Sequence, residues 1–211
     1  MIKVLIADDH PLVRRGIKQI LDETPDIKVI DEAENGQEVL GKIGDGKYDV
    51  ILLDIAMPGI GGLEALKNIK ERETALPVII LSMYSEEQYA IRAIKAGASG
   101  YIRKSSDPLE LIDAIRRVVS GRKYITPSLA EKLADVMGSE SEMLPHEALS
   151  DREFQVMLLL AQGKSVKDIG EELNLSPNTV STYKERVFKK TGFKCEVELA
   201  HYSLRNKLIE S

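Results

Sequence analysis

The stretch DVILLDIAMPGIGG, residues 49–62, holds an unbroken apolar run that ends at Asp54 and leads into a loop rich in glycine. Such a run is typical of a strand that is buried on both faces of a sheet. Further β-branched, apolar runs lie at residues 2–7, 28–33, 77–82 and 100–103. Segments of helical period separate the runs, at residues 11–21, 62–72, 86–96 and 108–119. Strands that alternate with helices predict an α/β fold with a doubly wound, five-stranded parallel sheet.

The pattern changes at about residue 122. One modest helix is expected over residues 126–137, and the sequence GSESEMLPHEA that follows it is typical of a flexible linker. After residue 150 every segment is helical, so a small all-α domain of four helices is predicted. We therefore expect a first domain at residues 1–121, a linker with one helix at 122–147 and a helical domain at 148–211.

Composition restricts the class of protein. The chain of 211 residues is 43% hydrophobic and 30% charged, which is enough to form a core without disulfides. The single Cys195 excludes an internal disulfide and a zinc site built from several cysteines. The sequence has no apolar run of about 18 residues and no signal peptide, so a cytoplasmic protein with no membrane partner is expected.

The charge is distributed unevenly along the chain. The whole chain has a net charge of −5, whereas residues 151–211 carry 10 Lys and Arg against 9 Asp and Glu. Residues 178–194 contain five Lys and Arg residues and one acidic residue, Glu185. A basic helix in an acidic protein indicates a surface that binds a polyanion, although a solvated helix surface would have the same composition.

Charged side chains stand at the ends of the predicted strands. Asp8 and Asp9 follow the first strand, Asp54 ends the third, and Lys104 follows the fifth. Ligands bind outside the carboxyl ends of the strands in an open parallel sheet, so these groups are expected to converge. Close carboxylates repel each other unless a cation neutralises them, and oxygen ligands beside a phosphate favour Mg²⁺. The pattern indicates a site for Mg²⁺ and a phosphoryl group that is carried on one carboxylate. Taken singly, each residue could instead be a helix cap or a solvated turn residue.

Residues 1–120 resemble the receiver domain of two-component response regulators. The resemblance rests on residues in the order and at the spacing of that family, namely Asp8, Asp9, Asp54 within DIAMPGIGG, Ser82, Tyr101 and Lys104. It implies a flavodoxin-like fold and a phosphoacceptor at Asp54. It also implies that a sensor histidine kinase donates the phosphoryl group.

The resemblance implies a Mg²⁺ site as well. Asp9 and Asp54 would ligate the ion directly, Asp8 would act through water, and the backbone carbonyl of Ala56 would supply a further oxygen. Phosphatases with an aspartate nucleophile on a similar sheet typically have a second acid two residues after the nucleophile. Because Ala56 stands there, the protein is not expected to be an enzyme beyond its own phosphorylation and slow autodephosphorylation.

Three further residues would form the switch that this resemblance implies. Lys104 would pair with the phosphoryl oxygens, Ser82 would move to hydrogen-bond them, and Tyr101 would turn inward into the space that is vacated. A phosphoryl group adds roughly −1.5 to −2 charge and three strong acceptor oxygens, which gives such a switch its driving force. Ser105 follows Lys104 where many receivers have proline, so a cis peptide is not assumed there.

The C-terminal segment contains helix-turn-helix spacing. Predicted helices at residues 166–173 and 177–191 are joined by a short polar turn, and the second helix is the basic one. Short polar side chains near a helix N-terminus can reach base edges in the major groove. A three-helix scaffold with another function would show similar spacing.

Residues 149–190 resemble the DNA-binding domain of the LuxR/NarL/FixJ family, through LSDRE, AQGKS and SPNTV. By this resemblance Ser181, Thr182 and Glu185 would face bases. Thr179 lies close to them and is also a predicted DNA-binding residue. The groove edge or phosphates would be held by Asn178, Lys184, Arg186, Lys189 and Lys190. Many relatives carry Lys and His at the positions of Ser181 and Tyr183, so the preferred DNA sequence is not transferable.

The combined prediction is a regulator that binds promoter DNA when Asp54 is phosphorylated. Phosphorylation is expected to favour a homodimer, and RNA polymerase is a further partner to consider. The last predicted helix, residues 196–208, has Leu199, Tyr202 and Leu208 at helical spacing and is the predicted dimer surface within the helical domain. The alternatives are a regulator that binds DNA without phosphorylation, with the receiver as an interaction platform, and a phosphatase-like enzyme.

Overall fold

The computed structural model describes residues 1–44, 47–84, 86–138 and 144–209. The chain divides into two compact units, Met1–Lys132 and Leu133–Ser211. Part of the predicted linker, residues 139–143, lies outside the described residues. None of the helices within the described ranges is long and apolar enough to cross a membrane.

The first unit is built on a parallel sheet. Within the described ranges its five strands are β1 (Ile2–Ala7), β2 (Ile27–Ala33), β3 (Val50–Asp54), β4 (Val78–Ser82) and β5 (Gly100–Arg103). Their order across the sheet is β2-β1-β3-β4-β5, and every pair is parallel. The helices between and after them are α1 (Pro11–Asp22), α2 (Gly36–Lys42), α3 (Gly62–Arg72), α4 (Glu86–Lys95) and α5 (Pro108–Val119). This architecture confirms the predicted doubly wound, flavodoxin-like fold.

The core explains why the strands read as unbroken apolar runs. On one face of the sheet, Val4, Leu52 and Ile102 pack in a cluster that includes Leu21 of α1 and Ile115 of α5. Successive strand residues point to opposite faces, and the intervening residues of β1 and β3 are also fully buried. Both faces of the sheet are therefore covered, as in other parallel sheets.

The segment after α5 packs onto the first unit. The Tyr124 backbone N–H donates to the Ser99 carbonyl (2.8 Å), and the Tyr124 hydroxyl donates to Glu110 (2.8 Å). The Thr126 hydroxyl donates to Glu86 at the start of α4 (2.7 Å). Leu129, in helix α6 (Pro127–Gly138), is also buried. The first part of the predicted linker is thus held against the sheet domain by specific contacts.

The second unit is helical. After a short 3₁₀ turn at Pro145–Ala148 come α7 (Asp151–Ala161), α8 (Val166–Leu173), α9 (Pro177–Thr191) and α10 (Glu196–Arg205). Serine side chains at residues 150, 165 and 176 cap α7, α8 and α9 by accepting from backbone N–H groups three residues later. This confirms the prediction of a small all-α domain of four helices.

Candidate functional site

The structure brings the predicted acidic residues together at the carboxyl edge of the sheet. Asp8 directly follows β1 and Asp54 ends the neighbouring β3, and both side chains are almost fully buried. Lys104 follows β5, and its side chain is 6% exposed. Its ammonium nitrogen lies 2.7 Å from Asp8 Oδ2 and 2.9 Å from Asp54 Oδ2. One buried cation therefore bridges two buried carboxylates.

The environment of this pair shifts the pKa of both partners. Burial raises the pKa of the Asp54 carboxyl above its usual value, and the carboxylate of Asp8 acts in the same direction. The Lys104 ammonium and the Ala56 backbone N–H partly oppose that rise. Burial lowers the pKa of Lys104, but the Asp54 and Asp8 carboxylates outweigh burial and leave that pKa above its usual value. The charged lysine is thus stabilised by its two anionic neighbours.

Asp9 completes the acidic group at the more exposed side of the site. Its side chain is 23% exposed, and its Oδ1 lies 2.7 Å from Nδ1 of His10. His10 is the N-cap residue of α1, and its backbone N–H donates to Asp8 Oδ1 (2.9 Å). One ligand atom from each of Asp8, Asp9, His10 and Asp54 lies within 4.8 Å of the others.

The donor set fits a hard divalent cation. The site holds three carboxylates, and the buried ammonium pairs with two of them, so negative charge is in excess at the site. Apart from the ion-pair contacts with Lys104 and His10, Asp8 Oδ2, Asp9 Oδ1 and Asp54 Oδ2 accept no hydrogen bond from the residues that the structure describes. Oxygen ligands of this kind are those that Mg²⁺ prefers.

The predicted switch residues Ser82 and Tyr101 lie on β4 and β5, the two strands that follow the strand of Asp54 across the sheet. Ser82 ends β4 and is 1% exposed, and its hydroxyl oxygen accepts from the Tyr84 backbone N–H (3.0 Å). Tyr101 in β5 is also 1% exposed, and its hydroxyl donates to the Tyr84 carbonyl (2.9 Å). Burial raises the pKa of the Tyr101 hydroxyl above its usual value. Both side chains thus contact the backbone of the loop that leads into α4.

The loop after Asp54 depends on one glycine. The Gly62 backbone N–H donates to the Ile55 carbonyl (3.0 Å), which folds the loop back over the end of β3. A Cβ at residue 62 would lie 1.9 Å from the Asp54 carbonyl oxygen, a distance that no side chain tolerates. The glycine-rich sequence therefore lets α3 begin against the backbone of Asp54.

The second unit contains the predicted helix-turn-helix. Asn174 caps the C-terminus of helix α8 in the left-handed conformation with φ 52°, and α9 begins three residues later. A Cβ at Gly170 would lie 2.7 Å from the Leu175 carbonyl oxygen, so this glycine allows the turn to pack closely on α8. The Ser176 hydroxyl oxygen accepts from the Thr179 backbone N–H (3.1 Å) and starts α9.

The predicted DNA contacts lie along α9 with different degrees of exposure. The exposed ones are Asn178, Ser181, Thr182, Glu185, Arg186, Lys189 and Lys190, whereas Thr179 and Lys184 are half-buried. The Thr179 hydroxyl is paired with the Ser176 hydroxyl (2.8 Å), and the Thr182 hydroxyl donates to the Asn178 carbonyl (2.9 Å).

Two of the predicted phosphate contacts form ion pairs within the domain. Lys184 pairs with Glu196 at the start of α10, and the Lys190 ammonium donates to Glu153 Oε2 (2.6 Å). Glu153 is 3% exposed, so its charge depends on this partner. Among the described residues, Arg186 and Lys189 form no ion pair with an acidic side chain. The cations of α9 therefore belong to two groups that sequence alone does not distinguish.

The predicted dimer surface is wrong in its residues. Leu199 and Leu208 are buried within the domain, at 0% and 4% exposed. The Tyr202 hydroxyl pairs with His146 Nδ1 (2.6 Å), and its ring stacks against Phe193. Leu199 and Tyr202 lie on the inner side of α10, and Leu208 follows the end of that helix and is buried from there.

One buried cation beside the acidic site was missed by the sequence reasoning. Arg14 in α1 is 8% exposed, and its Nη1 donates to the Asp8 carbonyl oxygen (2.7 Å). An arginine on the otherwise apolar stripe of α1 is the signal that could have indicated it, because buried arginine is rare without a partner.

Known families and proteins match both units. Residues 4–116 match the response regulator receiver domain, and residues 147–203 match bacterial regulatory proteins of the luxR family. The chain belongs to the response regulators that carry a receiver domain followed by a LuxR-type helix-turn-helix DNA-binding domain. A receiver domain implies a histidine kinase partner and generally binds Mg²⁺, and the luxR-family domain implies promoter DNA.

Individual relatives support this assignment over the whole chain. Response regulator UvrY of Escherichia coli is 41% identical over 209 residues, which cover 99% of this chain and 96% of UvrY. Response regulator GacA of Pseudomonas aeruginosa is 37% identical over 212 residues, which cover 100% of this chain and 99% of GacA. RcsB from Salmonella enterica serovar Typhimurium, solved bound to promoter rprA in the presence of phosphomimetic BeF3⁻, has a TM-score of 0.64. That structure is 27% identical in sequence and covers 96% of this chain and 98% of its own. The chain is thus a response regulator of the type that controls transcription in response to phosphorylation.

Proposed function

We propose that Asp54 is the phosphoacceptor of this regulator and that a sensor histidine kinase is its donor. A carboxylate oxygen of Asp54 attacks the phosphorus of a phosphohistidine, the new P–O bond forms, and the P–N bond breaks with its electron pair going to the imidazole. The observation that carries the proposal is the convergence of Asp8, Asp54 and Lys104, with the lysine ammonium within 2.9 Å of both carboxylates. A dianionic phosphoryl group needs such a cation beside its acceptor.

The residues for Mg²⁺ are those that the resemblance to receiver domains implies, and the clustering of Asp8, Asp9 and Asp54 supports them. Asp9 and Asp54 would hold the ion directly, Asp8 would hold it through water, and the Ala56 carbonyl would add an oxygen. When bound, Mg²⁺ neutralises charge on the phosphoryl group and on the carboxylates around it. The site catalyses its own phosphorylation from small donors and a slow autodephosphorylation.

The remaining residues of the site transmit the change. The Lys104 ammonium pairs with the phosphoryl oxygens, and this new contact replaces part of its ion pair with Asp54. Ser82 gives up its contact with the Tyr84 backbone to hydrogen-bond the phosphoryl group. Tyr101 is already buried before phosphorylation, so it shifts into the space behind Ser82 rather than turning in from solvent. Because both residues contact the loop before α4, phosphorylation alters the surface around α4.

The functional division proposed for the chain is a receiver at residues 1–121, a linker at 122–147 and a DNA-binding domain at 148–211. Helix α9 enters the major groove, and the predicted contacts along it reach bases and phosphates, except Lys190, which is held by Glu153. Two copies of the domain bind successive half-sites as a homodimer, because linking two weak modules multiplies their affinity. RNA polymerase at the same promoter is included among the partners.

The dimer contact is assigned to the outer face of α10. Val197 is 64% exposed and Leu204 is 41% exposed, and both border a groove shared with the end of α7. Large apolar side chains exposed together on one helix favour a protein contact. These two residues replace Leu199 and Leu208 in the proposal.

Two measurements test the proposed function. Acetyl phosphate is expected to add the mass of one phosphoryl group to the wild-type chain and none to Asp54→Asn, and added mass on the variant would contradict the assignment. DNA affinity is then measured at fixed salt with and without beryllofluoride and Mg²⁺, on duplexes selected from a random pool, together with light scattering. Tighter binding with a shift from monomer to dimer is expected. Equal affinity in both conditions would favour the regulator that binds without phosphorylation.

A further inference from the structure

Arg14 is a buried cation that holds the backbone beneath the acidic site. It is the fourth residue of α1, and helical side chains lean toward the helix N-terminus, so its guanidinium reaches back toward the end of β1. Nη1 donates to the Asp8 carbonyl oxygen (2.7 Å), Nη2 donates to Glu34 Oε1 (2.6 Å), and Nε donates to Glu32 Oε2 (3.2 Å). A planar fork with five N–H donors is suited to several acceptors at once.

The contact with Asp8 acts on the peptide that carries the ligands. The Asp8 backbone N–H donates to the Ala33 carbonyl (3.1 Å), so the Asp8 residue is held on its amide side by β2 and on its carbonyl side by Arg14. The Asp8 carbonyl belongs to the peptide that joins Asp8 to Asp9. The orientation of the Asp8 carbonyl therefore sets the direction in which both carboxylates leave the end of β1.

The charges around Arg14 nearly cancel. Its guanidinium faces the carboxylates of Glu32 and Glu34, and Lys18 adds a second cation that pairs with Glu32 Oε1 (3.0 Å). The group thus contains two cations and two anions. Its main effect on the acidic site comes from position rather than from net charge.

We propose that Arg14 is a positioning residue for the Mg²⁺ site, acting through the Asp8 backbone and not on the ion itself. The inference rests on the proposed function, since it concerns the same site. The positive charge of Arg14 alone would predict the opposite effect on Mg²⁺ affinity. Removal of a cation near a divalent cation strengthens binding by Coulomb's law, whereas loss of a positioning contact weakens it.

The test is a calorimetric titration of the full chain with Mg²⁺. Arg14→Met is expected to weaken Mg²⁺ binding by about tenfold, the lower end of the effects known for groups that orient metal ligands. Lys18→Met is the matched control, because it removes a cation from the same group without touching Asp8. It is expected to leave the affinity within about twofold of wild type or to tighten it, as charge alone requires.

A kinetic measurement separates positioning from general loss of structure. With acetyl phosphate as donor, Arg14→Met is expected to raise the Mg²⁺ concentration for half-maximal phosphorylation and to keep the maximal rate within about twofold of wild type. A lower maximal rate at an unchanged half-saturating concentration would overturn the proposal. Equal or tighter Mg²⁺ binding by a folded Arg14→Met chain would overturn it as well.

Arg14→Lys keeps the proposal testable if the methionine variant does not fold. Lysine keeps the charge but has no fork to span three acceptors, so an affinity about threefold weaker is expected for the folded variant. Unchanged affinity would show that Arg14 serves the fold alone and would refute the inference. A wild-type chain that binds no Mg²⁺ would instead refute the proposed metal site itself, which separates the two failures.

Discussion

Lys190→Met is expected to destabilise the DNA-binding unit rather than to remove a phosphate contact. The Lys190 ammonium donates to Glu153 Oε2 at 2.6 Å, and Glu153 is 3% exposed at the start of α7. The same oxygen also accepts from the Ser150 backbone N–H (2.8 Å), so the variant leaves the carboxylate with a backbone partner but without a countercharge. A buried carboxylate that loses its cation is more costly than an exposed one.

The size of the effect follows from the exposure of the two partners. Hydrogen bonds to charged groups contribute about 1.5–3 kcal/mol. The Lys190 side chain is 41% exposed, so water already solvates part of the ammonium and the lower end of that range applies. We expect a loss of about 1.5 kcal/mol in the free energy of unfolding of this unit, which corresponds to a fall of roughly 6–12 °C in its melting temperature.

The assay combines calorimetry of the full chain with hydrogen exchange of peptides from α7. Lys189→Met is the matched control. Lys189 directly precedes Lys190, is exposed, and forms no ion pair with the acidic side chains that the structure describes. The control is expected to melt like wild type. In DNA binding it is expected to reduce the slope of log affinity against log salt by about 0.9, the contribution of one phosphate contact.

The pH dependence supplies an independent check. Burial raises the pKa of Glu153, but Lys190 and Ser150 outweigh it, so the folded-state pKa lies below the usual 4.5. The ion pair therefore contributes its full stability above pH 4.5. This contribution is lost as the pH falls through the folded-state pKa. The difference in melting temperature between wild type and Lys190→Met is expected to shrink below about pH 4.5. If Lys190→Met melts like wild type and instead reduces the salt slope as Lys189→Met does, the reasoning is refuted.

Three further predictions concern the two sites. Gly62→Ala is expected to slow phosphorylation by acetyl phosphate at least tenfold, because its Cβ would lie 1.9 Å from the Asp54 carbonyl oxygen. Gly41→Ala is the control, since a Cβ there has open space around it, and this variant is expected to be phosphorylated at the wild-type rate. Lys104→Met is expected to tighten Mg²⁺ binding by about tenfold in calorimetry, because the ammonium no longer competes for two carboxylates, and weaker binding would contradict this. Val197→Glu is expected to keep the beryllofluoride-treated chain monomeric in light scattering, whereas a dimer of unchanged strength would exclude the outer face of α10.

The sheet and the acidic site were predictable because both follow from local pattern and topology. An unbroken apolar run such as residues 50–53 indicates a doubly buried strand, and parallel strands must bring Asp8 and Asp54 to the same edge. The ion pairs were not predictable. Lys190 and Glu153 are 37 residues apart, and their contact depends on how α7 and α9 cross. Composition therefore does not distinguish a cation that binds DNA from one that pairs within the fold.

The C-terminal helix shows a second limit of periodicity. The spacing of Leu199 and Leu208 indicates that they lie on the same face. It does not indicate whether that face is buried within the same domain or left free for a partner. The helix also ends at Arg205, earlier than predicted, because Lys207 adopts a left-handed backbone conformation with φ 55°. Leu208 reaches the core from beyond that turn.

The contacts of Tyr124 and Thr126 bear on how this protein is dissected experimentally. A fragment cut at residue 121 would lose the hydroxyl groups that bind Glu110 and Glu86. It would also lose the β-bridge between Tyr124 and Gly100 at the edge of the sheet. Its behaviour would then differ from that of the full chain for two reasons, the missing DNA-binding unit and a bare sheet edge. A fragment that continues beyond residue 132 separates the two, and the difference between the fragments measures what residues 122–132 alone do to phosphorylation.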